Sequence, residues 1–261
     1  MTKPIAPVGR RADRIALVTG ATSGIGREGA LWLARDGFHL ICAGRNAERG
    51  AAVVAAIESE GGSAEFVAFD ITSEADWARV TDEIAAQHGR LDALVNSGGA
   101  FFSKPLLETT LAEFRGLWET DVESVVLGTK YGLRTMGATK SGGSIINVSS
   151  LAGLIGLEDC AAYCAAKAAV TQFSKIAAVE GGSFDPPIRV NSLNPGVIYT
   201  EMITGAYGDN EGVKAFVKDG NALDMLGEAR HIAAAIRFLA SGRSRMVTGT
   251  AHLVDGGRGA D

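Results

Sequence analysis

The chain has 261 residues, of which 46% are hydrophobic and 21% charged, ordinary values for a globular protein with one large α/β domain. The formal net charge is −5 and the longest basic cluster is Arg10-Arg11, so nothing indicates a nucleic-acid-binding surface. No stretch approaches the roughly 20 apolar residues that a membrane-spanning helix requires, so we expect no membrane association.

Short apolar segments alternate with longer helical patterns along the chain. The apolar segments predict strands over 15–19, 38–43, 65–70, 92–97, 144–150, 188–193 and 250–255. The helical patterns cover 24–36, 46–61, 73–89, 110–137, 160–180 and 231–241. Apolar strands separated by helices predict an α/β fold, a single-domain Rossmann-like doubly wound parallel sheet of about seven strands with helices on both faces.

The composition gives no sign of a linker between domains. We therefore predict a flexible N-terminal tail over 1–12 and a single domain over 13–261. Residues 200–227 interrupt the alternation, because they are rich in glycine and polar residues with isolated apolar side chains. Such an insertion is either a disordered loop or a lid over a substrate, and we favour the lid.

Cysteine and histidine usage argues against a disulfide framework or a metal site. The three cysteines are Cys42, Cys160 and Cys164, a small odd number that indicates reduced thiols and a cytoplasmic location. The four histidines are His39, His88, His231 and His252. They are scattered along the chain without metal-ligand spacing, so we expect no metal.

A glycine-rich turn, TGATSGIG, follows the first predicted strand over residues 19–26. Glycines in a strand-to-helix turn let the backbone approach a pyrophosphate closely, and the helix N-terminus supplies free N–H groups. Thr22 and Ser23 add hydroxyl donors. Any tight turn can recruit glycine, but the place of this one after the first strand of an alternating pattern favours a dinucleotide site.

Four motifs in chain order resemble those of the short-chain dehydrogenase/reductase family. They are TGATSGIG at 19–26, NSGG at 96–99, Ser150 followed by YCAAK at 163–167, and NPG at 194–196. Each is weak alone, but together they extend the resemblance from about residue 13 to 257. The resemblance implies an NAD(P)-dependent enzyme whose dinucleotide-binding catalytic domain acts on a carbonyl/hydroxyl pair.

The resemblance also implies which residues bind the cofactor. They are Gly20, Thr22, Ser23, Gly24, Ile25, Gly26, Arg45, Asn46, Asp70, Ile71, Asn96, Gly98, Tyr163, Lys167, Pro195, Gly196, Ile198 and Thr200. Asp70 corresponds to the aspartate that contacts adenine in the family, although a cap before the next helix is an alternative interpretation. Thr200 resembles the residue that anchors the carboxamide.

The end of the second predicted strand, CAGRN, bears on the choice between NADP and NAD. An acidic residue there accepts a hydrogen bond from a free ribose 2′-hydroxyl, whereas an arginine accommodates a 2′-phosphate. Gly44 stands where NAD-using members of the family carry aspartate, and Arg45 follows. We therefore favour NADP(H), held by Arg45 and Asn46, and NAD(H) remains the alternative if Arg45 is only a solvated residue at a helix start.

Tyr163 and Lys167 are four residues apart on one predicted helix and therefore share a face. A free tyrosine has a pKa of about 10, and a nearby lysine cation favours the phenolate. The resemblance implies that Tyr163 is the acid/base, Ser150 binds the substrate oxygen, and Lys167 tunes Tyr163 and holds the ribose. Ser149 is the competing serine, and a simple packing pair is the alternative interpretation of Tyr163 and Lys167.

The sequence departs from the family pattern at one polar position of the long helix. The family usually carries an asparagine there, and this chain carries Asp121. An ionised aspartate only accepts hydrogen bonds, whereas asparagine also donates. Asp121 can accept from a relay water or from Lys167, and we hypothesise that the proton relay survives with a shifted pH profile.

The predicted substrate is a small hydrophobic ketone or secondary alcohol. The candidate pocket residues are mostly apolar or aromatic, namely Phe101, Phe102, Leu151, Tyr199, Met202 and Tyr207. Alternatives are a weakly catalytic cofactor-binding regulator, an NAD-dependent dehydrogenase of the same family, and a lyase or epimerase on a nucleotide sugar, which the absence of a large C-terminal substrate domain disfavours. Family resemblance implies a homotetramer or homodimer built through helices 110–137 and 160–180 and the last strand.

Overall fold

Seven parallel strands form one sheet in the computed structural model, which describes residues 14–260. The strands are β1 (Arg14–Thr19), β2 (Phe38–Gly44), β3 (Ser63–Ala68), β4 (Ala93–Asn96), β5 (Gly143–Val148), β6 (Ile188–Pro195) and β7 (Ala251–Val254). Their order in the sheet is β3-β2-β1-β4-β5-β6-β7. The predicted doubly wound parallel sheet is confirmed, and its central strands are buried on both faces as expected for this class.

Helices cover both faces of the sheet. They are α1 (Gly24–Arg35), α2 (Ala47–Ser59), α3 (Glu74–His88), α4 (Leu111–Trp118), α5 (Ser124–Ala138), α6 (Ala161–Gly181), α7 (Glu201–Tyr207), α8 (Glu211–Lys218) and α9 (Ala229–Ala240). Apolar residues of α1, α2 and α9 form the core on one face, and those of α3, α5 and α6 form the core on the other. Within residues 14–260, none of the helices combines the length and hydrophobicity needed to cross a bilayer.

The long helix predicted over 110–137 contains an irregular turn. It begins at a capping box between Thr110 and Glu113, and one turn of π-helix at Glu119–Glu123 separates α4 from α5. π-turns inside helices occur frequently at functional sites. This one carries Asp121, whose side chain is fully buried in the interior of the protein.

The insertion at 200–227 contains secondary structure that the sequence pattern did not predict. Two short helices, α7 and α8, form there, and Asn210 caps α8 by accepting a hydrogen bond from the Val213 amide. Helices of seven and eight residues are too short to show a clear 3.6-residue period in the sequence. The role of the segment as a lid stays a prediction, and the predicted tail over 1–12 lies outside the described residues.

The order of the strands places a crevice at the middle of the sheet. Strand β1 lies between β2 and β4, so the chain winds away from β1 in opposite directions through the two halves of the sheet. In such sheets ligands bind outside the carboxyl ends of the strands, at the point where the winding reverses. The glycine turn after β1 and residues 97–99 after β4 both lie at this crevice.

Candidate active site

A cleft of about 1000 Å³ opens at the carboxyl ends of the strands. Residues from all four sequence motifs meet there. The predicted site residues that line the cleft are Gly20, Thr22, Ser23, Gly24, Ile25, Gly26, Arg45, Asn46, Asp70, Ile71, Gly98, Ser150, Tyr163, Lys167, Pro195, Gly196, Ile198 and Thr200. Asn96 and Asp121, the other two, are buried behind its wall.

The glycine turn leaves a backbone cradle in which side chains have no room. Gly20 has a φ of 64°, and a Cβ added to it would lie 3.0 Å from the Gly98 Cα. A Cβ at Gly26 would lie 2.4 Å from the Gly20 carbonyl oxygen. Ser23 makes no side-chain cap to α1, and no acidic residue occupies the first turn of that helix. These features fit a dinucleotide pyrophosphate, because the first N–H groups of α1 need an acceptor.

Replacing Gly26 by alanine is expected to weaken cofactor binding by at least about tenfold and to lower the melting temperature. The added methyl group would collide with the Gly20 carbonyl oxygen, so the turn must shift. Gly116→Ala is the matched control, because a Cβ there meets nothing within 4 Å and alanine is the better helix former. Fluorescence titration with NADPH and thermal unfolding would measure both effects, and equal behaviour of the two variants would contradict the assignment.

Gly44, the last residue of β2, carries no side chain beside Thr22. A Cβ at Gly44 would lie 2.9 Å from Cγ2 of Thr22, so a larger residue here requires the Thr22 side chain to move. Arg45, which follows, is exposed and lines the cleft. The arrangement provides a cation and no competing carboxylate at the end of this strand.

Asn46 and Arg49 extend this side of the cleft. The Asn46 carboxamide oxygen accepts a hydrogen bond from the Arg49 amide at 2.9 Å and caps α2, so only its Nδ2 is available to a phosphate. Arg49, which the sequence motifs did not single out, also lines the cleft. Its Nη1 lies 2.6 Å from Oε2 of Glu201 on α7, which joins the start of the insertion to the cofactor side of the cleft.

Asp70 forms a turn of its own and does not cap α3. Its Oδ1 accepts hydrogen bonds from the amide and the hydroxyl of Thr72 at 3.0 and 2.9 Å, and these bonds hold the pKa of the carboxyl below its usual value. Ser73 caps α3, accepting from the Asp76 amide. Asp70 is therefore an ionised, exposed acceptor at the rim of the cleft.

Asn96 supports the cleft from behind. Its Nδ2 donates to Oδ1 of Asn147 at 2.8 Å, and Asn147 in turn donates to the Ser174 hydroxyl at 2.9 Å. All three side chains are buried. This polar network joins β4, β5 and α6, so the Asn96 side chain positions the strands and does not reach into the cleft.

Ser150, Tyr163 and Lys167 are brought together between the end of β5 and the first turns of α6. The Ser150 hydroxyl is close enough to the Tyr163 phenol to lower the pKa of that phenol, and Lys167 Nζ lies 5.5 Å from the centre of the Tyr163 ring. Phe101 packs its ring against Tyr163 edge to face, with 5.0 Å between centroids. The sequence-predicted trio is therefore assembled at one wall of the cleft.

Burial opposes the effect of Lys167 on the Tyr163 phenol. Burial raises the pKa of the phenol and outweighs the attraction of Lys167 and the effect of the Ser150 hydroxyl, which lower it. The nearby Asp121 carboxylate raises it further. The net direction is upward because the desolvated phenolate loses more hydration than one neighbouring cation restores.

The hydroxyl of Ser149, the competing serine, is engaged within the fold, although Ser149 also borders the cleft. It is only 3% exposed, and its hydroxyl lies 2.8 Å from both the Lys167 carbonyl oxygen and Thr171 Oγ1. It therefore joins the end of β5 to α6. Ser150, the next residue, faces the cleft, and its Oγ accepts a hydrogen bond from the Ala152 amide at 3.1 Å.

Asp121 forms an ion pair with Lys167 in the interior. Asp121 is fully buried, and its Oδ2 lies 2.9 Å from Lys167 Nζ. Its Oδ1 accepts a hydrogen bond from the Ala100 amide at 2.7 Å. Burial by itself lowers the pKa of Lys167, but the charges of Asp121 and Tyr163 outweigh it, so the pKa lies above that of a free lysine. Direct pairing with Lys167, one of the two arrangements predicted from the sequence, is the one observed.

The outer half of the cleft is mainly apolar. Phe101, Leu151, Met202 and Tyr207 line it as predicted, whereas Phe102 and Tyr199 do not. Tyr199 is turned outward and donates its hydroxyl to Asp209. The structure adds apolar and charged residues that no sequence motif indicated: Leu157, Glu158, Ile203, Phe216 and Arg258.

The amino-acid sequence is similar to those of several dehydrogenases over nearly its whole length. The sequence model of a family described as enoyl-(acyl carrier protein) reductase matches residues 20–258. A cyclopentanol dehydrogenase from Comamonas testosteroni is 38% identical over 250 residues, which is 96% of this chain and 98% of that protein. An NADP-dependent (R)-specific alcohol dehydrogenase from Lentilactobacillus kefiri is 34% identical, covering 95% and 97% of the two chains.

A solved structure with the same architecture extends the comparison. A candidate NAD(P)-dependent gluconate 5-dehydrogenase from Beutenbergia cavernae superposes with a TM-score of 0.88 at 30% identity. The match covers 96% of this chain and 98% of that one, and that crystal structure contains NADP at low occupancy. The likeness therefore extends over the whole sheet and the cleft.

Proposed function

Because the chain belongs to the short-chain dehydrogenase/reductase family and its named relatives act on CH–OH groups, we propose that it interconverts a hydrophobic ketone and a secondary alcohol with NADP(H), using Tyr163 as the acid/base. The observation that carries this proposal is the convergence of Ser150, Tyr163 and Lys167 at one wall of a cleft whose floor is the glycine cradle. The cradle and the trio come from opposite halves of the sheet.

The residues of the chain divide the chemistry between them. NADPH, when bound, supplies the hydride that reduces the carbonyl carbon. The N–H groups of the glycine turn bind the pyrophosphate, and Lys167 is placed to bind the nicotinamide ribose. The Ser150 hydroxyl donates a hydrogen bond to the substrate oxygen as negative charge develops there, and the Tyr163 hydroxyl delivers the proton to that oxygen. In alcohol oxidation the Tyr163 oxygen takes the proton back.

Asp121 has a defined part in this arrangement. A buried lysine is readily deprotonated, and the carboxylate 2.9 Å away keeps Lys167 cationic. The cation in turn offsets part of the cost of forming the Tyr163 phenolate. Asp121 therefore acts through Lys167 as a positioning residue, which supports a catalytic enzyme over a weakly catalytic regulator.

The preference for NADP(H) over NAD(H) is supported by charge. Arg45 and Arg49 both line the cleft beyond β2, and position 44 is a glycine, so it offers no carboxylate to a ribose. A 2′-phosphate needs donors with positive charge, whereas a free 2′-hydroxyl is held best by a carboxylate. The Lentilactobacillus kefiri relative is NADP-dependent.

Arg45→Ala is expected to weaken NADPH binding by about 10- to 100-fold and to leave NADH binding nearly unchanged, because a hydrogen bond between charged groups contributes about 1.5–3 kcal/mol. Quenching of tryptophan fluorescence during titration with each cofactor measures both values. Arg245→Ala, an exposed arginine outside the cleft, is the control. Equal loss for both cofactors would contradict a phosphate-binding role.

The apolar outer cleft supports a cyclic or branched hydrophobic substrate. Phe101, Leu151, Tyr207 and Phe216 provide surface that excludes water from the reacting carbonyl. The test is NADPH-dependent reduction of cyclopentanone and cyclohexanone by the purified protein, followed by the loss of reduced-nicotinamide absorbance. Tight NADPH binding without turnover of any ketone in a hydrophobic panel would overturn this part of the proposal.

A second candidate substrate is an alicyclic alcohol that carries a carboxylate, and the observation that favours it is Arg258. This half-buried arginine lines the cleft with its guanidinium carbon 5.3 Å from the centre of the Phe216 ring. Arg258→Gln is expected to weaken recognition of a hydroxycyclohexanecarboxylate, so that its KM rises by about 10- to 100-fold. Cyclopentanol is the control substrate for the same variant. A matching rise in KM for both substrates would assign Arg258 to packing and not to carboxylate binding.

Assembly, location and lid motion complete the proposal. We propose a homotetramer or homodimer formed through α5 and α6, because Val179 and Ile176 on α6 are 79% and 54% exposed. Light scattering coupled to gel filtration measures the assembly.

The three free thiols support a reducing, cytoplasmic location. The 200–227 segment is proposed as the lid, since Met202, Tyr207 and Phe216 face the cleft from it.

A further inference from the structure

Two histidines that are far apart in the sequence are neighbours in the fold. His39 is the second residue of β2, His88 is the last residue of α3, and Glu65 lies between them on β3. The Glu65 Oε1 atom is 3.2 Å from His39 Nε2 and 3.4 Å from His88 Nε2. One ligand atom from each residue lies within 4.8 Å of the other two. The spacing along the chain gave no sign of this cluster.

The orientation of the rings directs their Nε2 atoms towards a common point. The His39 Nδ1 atom is 2.8 Å from the Ser63 hydroxyl, which fixes this ring with Nε2 facing Glu65. A partner on the second nitrogen of an imidazole is the usual device that orients a metal-binding histidine. The His88 Nε2 atom is buried and has no hydrogen bond of acceptable geometry. The cluster therefore contains a buried ring nitrogen, His88 Nε2, that lies near Glu65 but has no hydrogen-bond partner.

The distances agree with the edges of a small coordination tetrahedron. Zinc binds histidine nitrogen at about 2.0–2.1 Å and carboxylate oxygen at about 2.0–2.2 Å, so neighbouring ligand atoms lie about 3.4 Å apart. Two of the three edges, at 3.2 and 3.4 Å, match this value, and the third, between the ligand nitrogens of the two histidines, is within 4.8 Å. The side chains are 2%, 16% and 9% exposed for His39, Glu65 and His88, which leaves a restricted opening for a fourth ligand such as water.

We propose that His39, Glu65 and His88 form a binding site for a divalent transition-metal ion, with Zn²⁺ as the best-matched ion. The site lies near the amino ends of the strands, whereas the cofactor cleft lies at their carboxyl ends. Arg45 directly follows β2 and is six residues beyond His39. At the rise of an extended strand, this separates the two sites by about 20 Å. The bound ion joins edge strand β3 to β2 and to the end of α3, so its effect is on stability and not on hydride transfer.

The test is Zn²⁺ binding to the untagged full-length protein after removal of metals with a chelator and exchange into chelator-free buffer. Calorimetric titration gives the stoichiometry, and titration with Co²⁺ gives the visible absorption bands of a tetrahedral site. His88→Gln and Glu65→Gln remove one ligand each, and neither residue is as buried as His39. His252→Gln is the matched control, because His252 lies on β7, away from the cluster.

Cys160 and Cys164 need their own control, since thiols near the cleft also bind zinc. The Cys160→Ser, Cys164→Ser double variant removes them and leaves the cluster intact. Thermal unfolding is measured for every protein with and without Zn²⁺. This readout does not depend on NADPH or on any substrate, so it stays independent of the proposed function.

The expected result is one Zn²⁺ per chain in the native protein, the His252 variant and the cysteine double variant. Their melting temperature rises by roughly 5–10 °C when free Zn²⁺ exceeds Kd by about 100-fold. Affinity falls by about 100-fold or more in both ligand variants, and their melting temperatures no longer respond. Binding that survives in His88→Gln and Glu65→Gln, or is lost only with the cysteines, would overturn the proposal, as would no binding. In the last case Glu65 is held without a metal, by its hydrogen bond with His39 and its close contact with His88.

Discussion

Tyr163→Phe is expected to lower kcat by about 10³-fold in both reaction directions while NADPH binding changes little. The variant removes only the hydroxyl that transfers the proton, and general acid–base groups contribute typically about 10²- to 10⁴-fold. The ring itself remains, so its edge-to-face contact with Phe101 and the shape of the cleft are preserved. Steady-state rates and fluorescence titration with NADPH measure the two quantities separately.

Tyr207→Phe is the matched control, because Tyr207 also lines the cleft but lies on α7, away from Lys167. Its hydroxyl has no part in the proposed proton transfer, so kcat should stay close to that of the native enzyme. A Tyr163→Phe variant that retains most of its kcat would contradict the acid/base assignment. Loss of NADPH binding together with activity would instead assign Tyr163 to the architecture of the site.

Asp121→Asn is expected to shift the pH profile of alcohol oxidation towards lower pH. Oxidation needs the ionised form of Tyr163, and the Asp121 carboxylate is one of the groups that raise the pKa of that phenol. Asparagine removes the negative charge and keeps one oxygen, which can replace either Oδ1, the acceptor for the Ala100 amide, or Oδ2, the partner of Lys167. Loss of the carboxylate also lowers the pKa of Lys167, so the expectation applies over the pH range in which Lys167 stays protonated; there the Tyr163 phenolate becomes easier to form. The limb of the profile that rises with pH therefore moves down the pH scale.

Measurement of kcat and kcat/KM across the pH range in this variant, its control and the native enzyme tests this expectation. Glu123→Gln is the matched control, since Glu123 lies in the same π-helical turn but is exposed. Its profile should coincide with that of the native enzyme. A coincident profile for Asp121→Asn as well would show that the charge of Asp121 is not felt at Tyr163, and the positioning role would fail.

Asp121→Ala separates the stability of the ion pair from its effect on catalysis. Removal of the carboxylate leaves Lys167 buried without its partner, and breaking one side of a buried pair costs about 3–5 kcal/mol of unfolding free energy. Asp121→Asn should lose less because the amide oxygen still accepts hydrogen bonds. Chemical denaturation of the two variants would order them in this way.

The fold could be predicted because its determinants are local and repeated. Apolar segments such as 15–19 and 188–193 alternate with helical patterns, and only a parallel sheet covered on both faces buries them all. The glycine turn and the pairing of Tyr163 with Lys167 could also be predicted from the sequence, since each depends on spacing within one turn or one helix. Boundaries were less accurate, as for β3, which begins and ends two residues earlier than its apolar segment indicated.

Within the candidate active site, only the tertiary structure decided which partners the predicted residues have. The choice between Ser149 and Ser150 depends on which hydroxyl meets α6, and the role of Asp121 depends on a π-helical turn that brings it to Lys167. The rise in the pKa of Tyr163 depends on burial, which opposes and exceeds the local charge effect visible in the sequence.

The sequence by itself determined the class of fold and the family, and it indicated the residues of the proposed reaction centre, because these follow from periodicity and short-range spacing. The tertiary structure alone decided the contacts between residues distant along the chain. Arg258 in the cleft wall and the cluster of His39, Glu65 and His88 are such cases. The physical reason is that such contacts arise from the packing of whole strands and helices, and no local pattern of side chains specifies which of their surfaces meet.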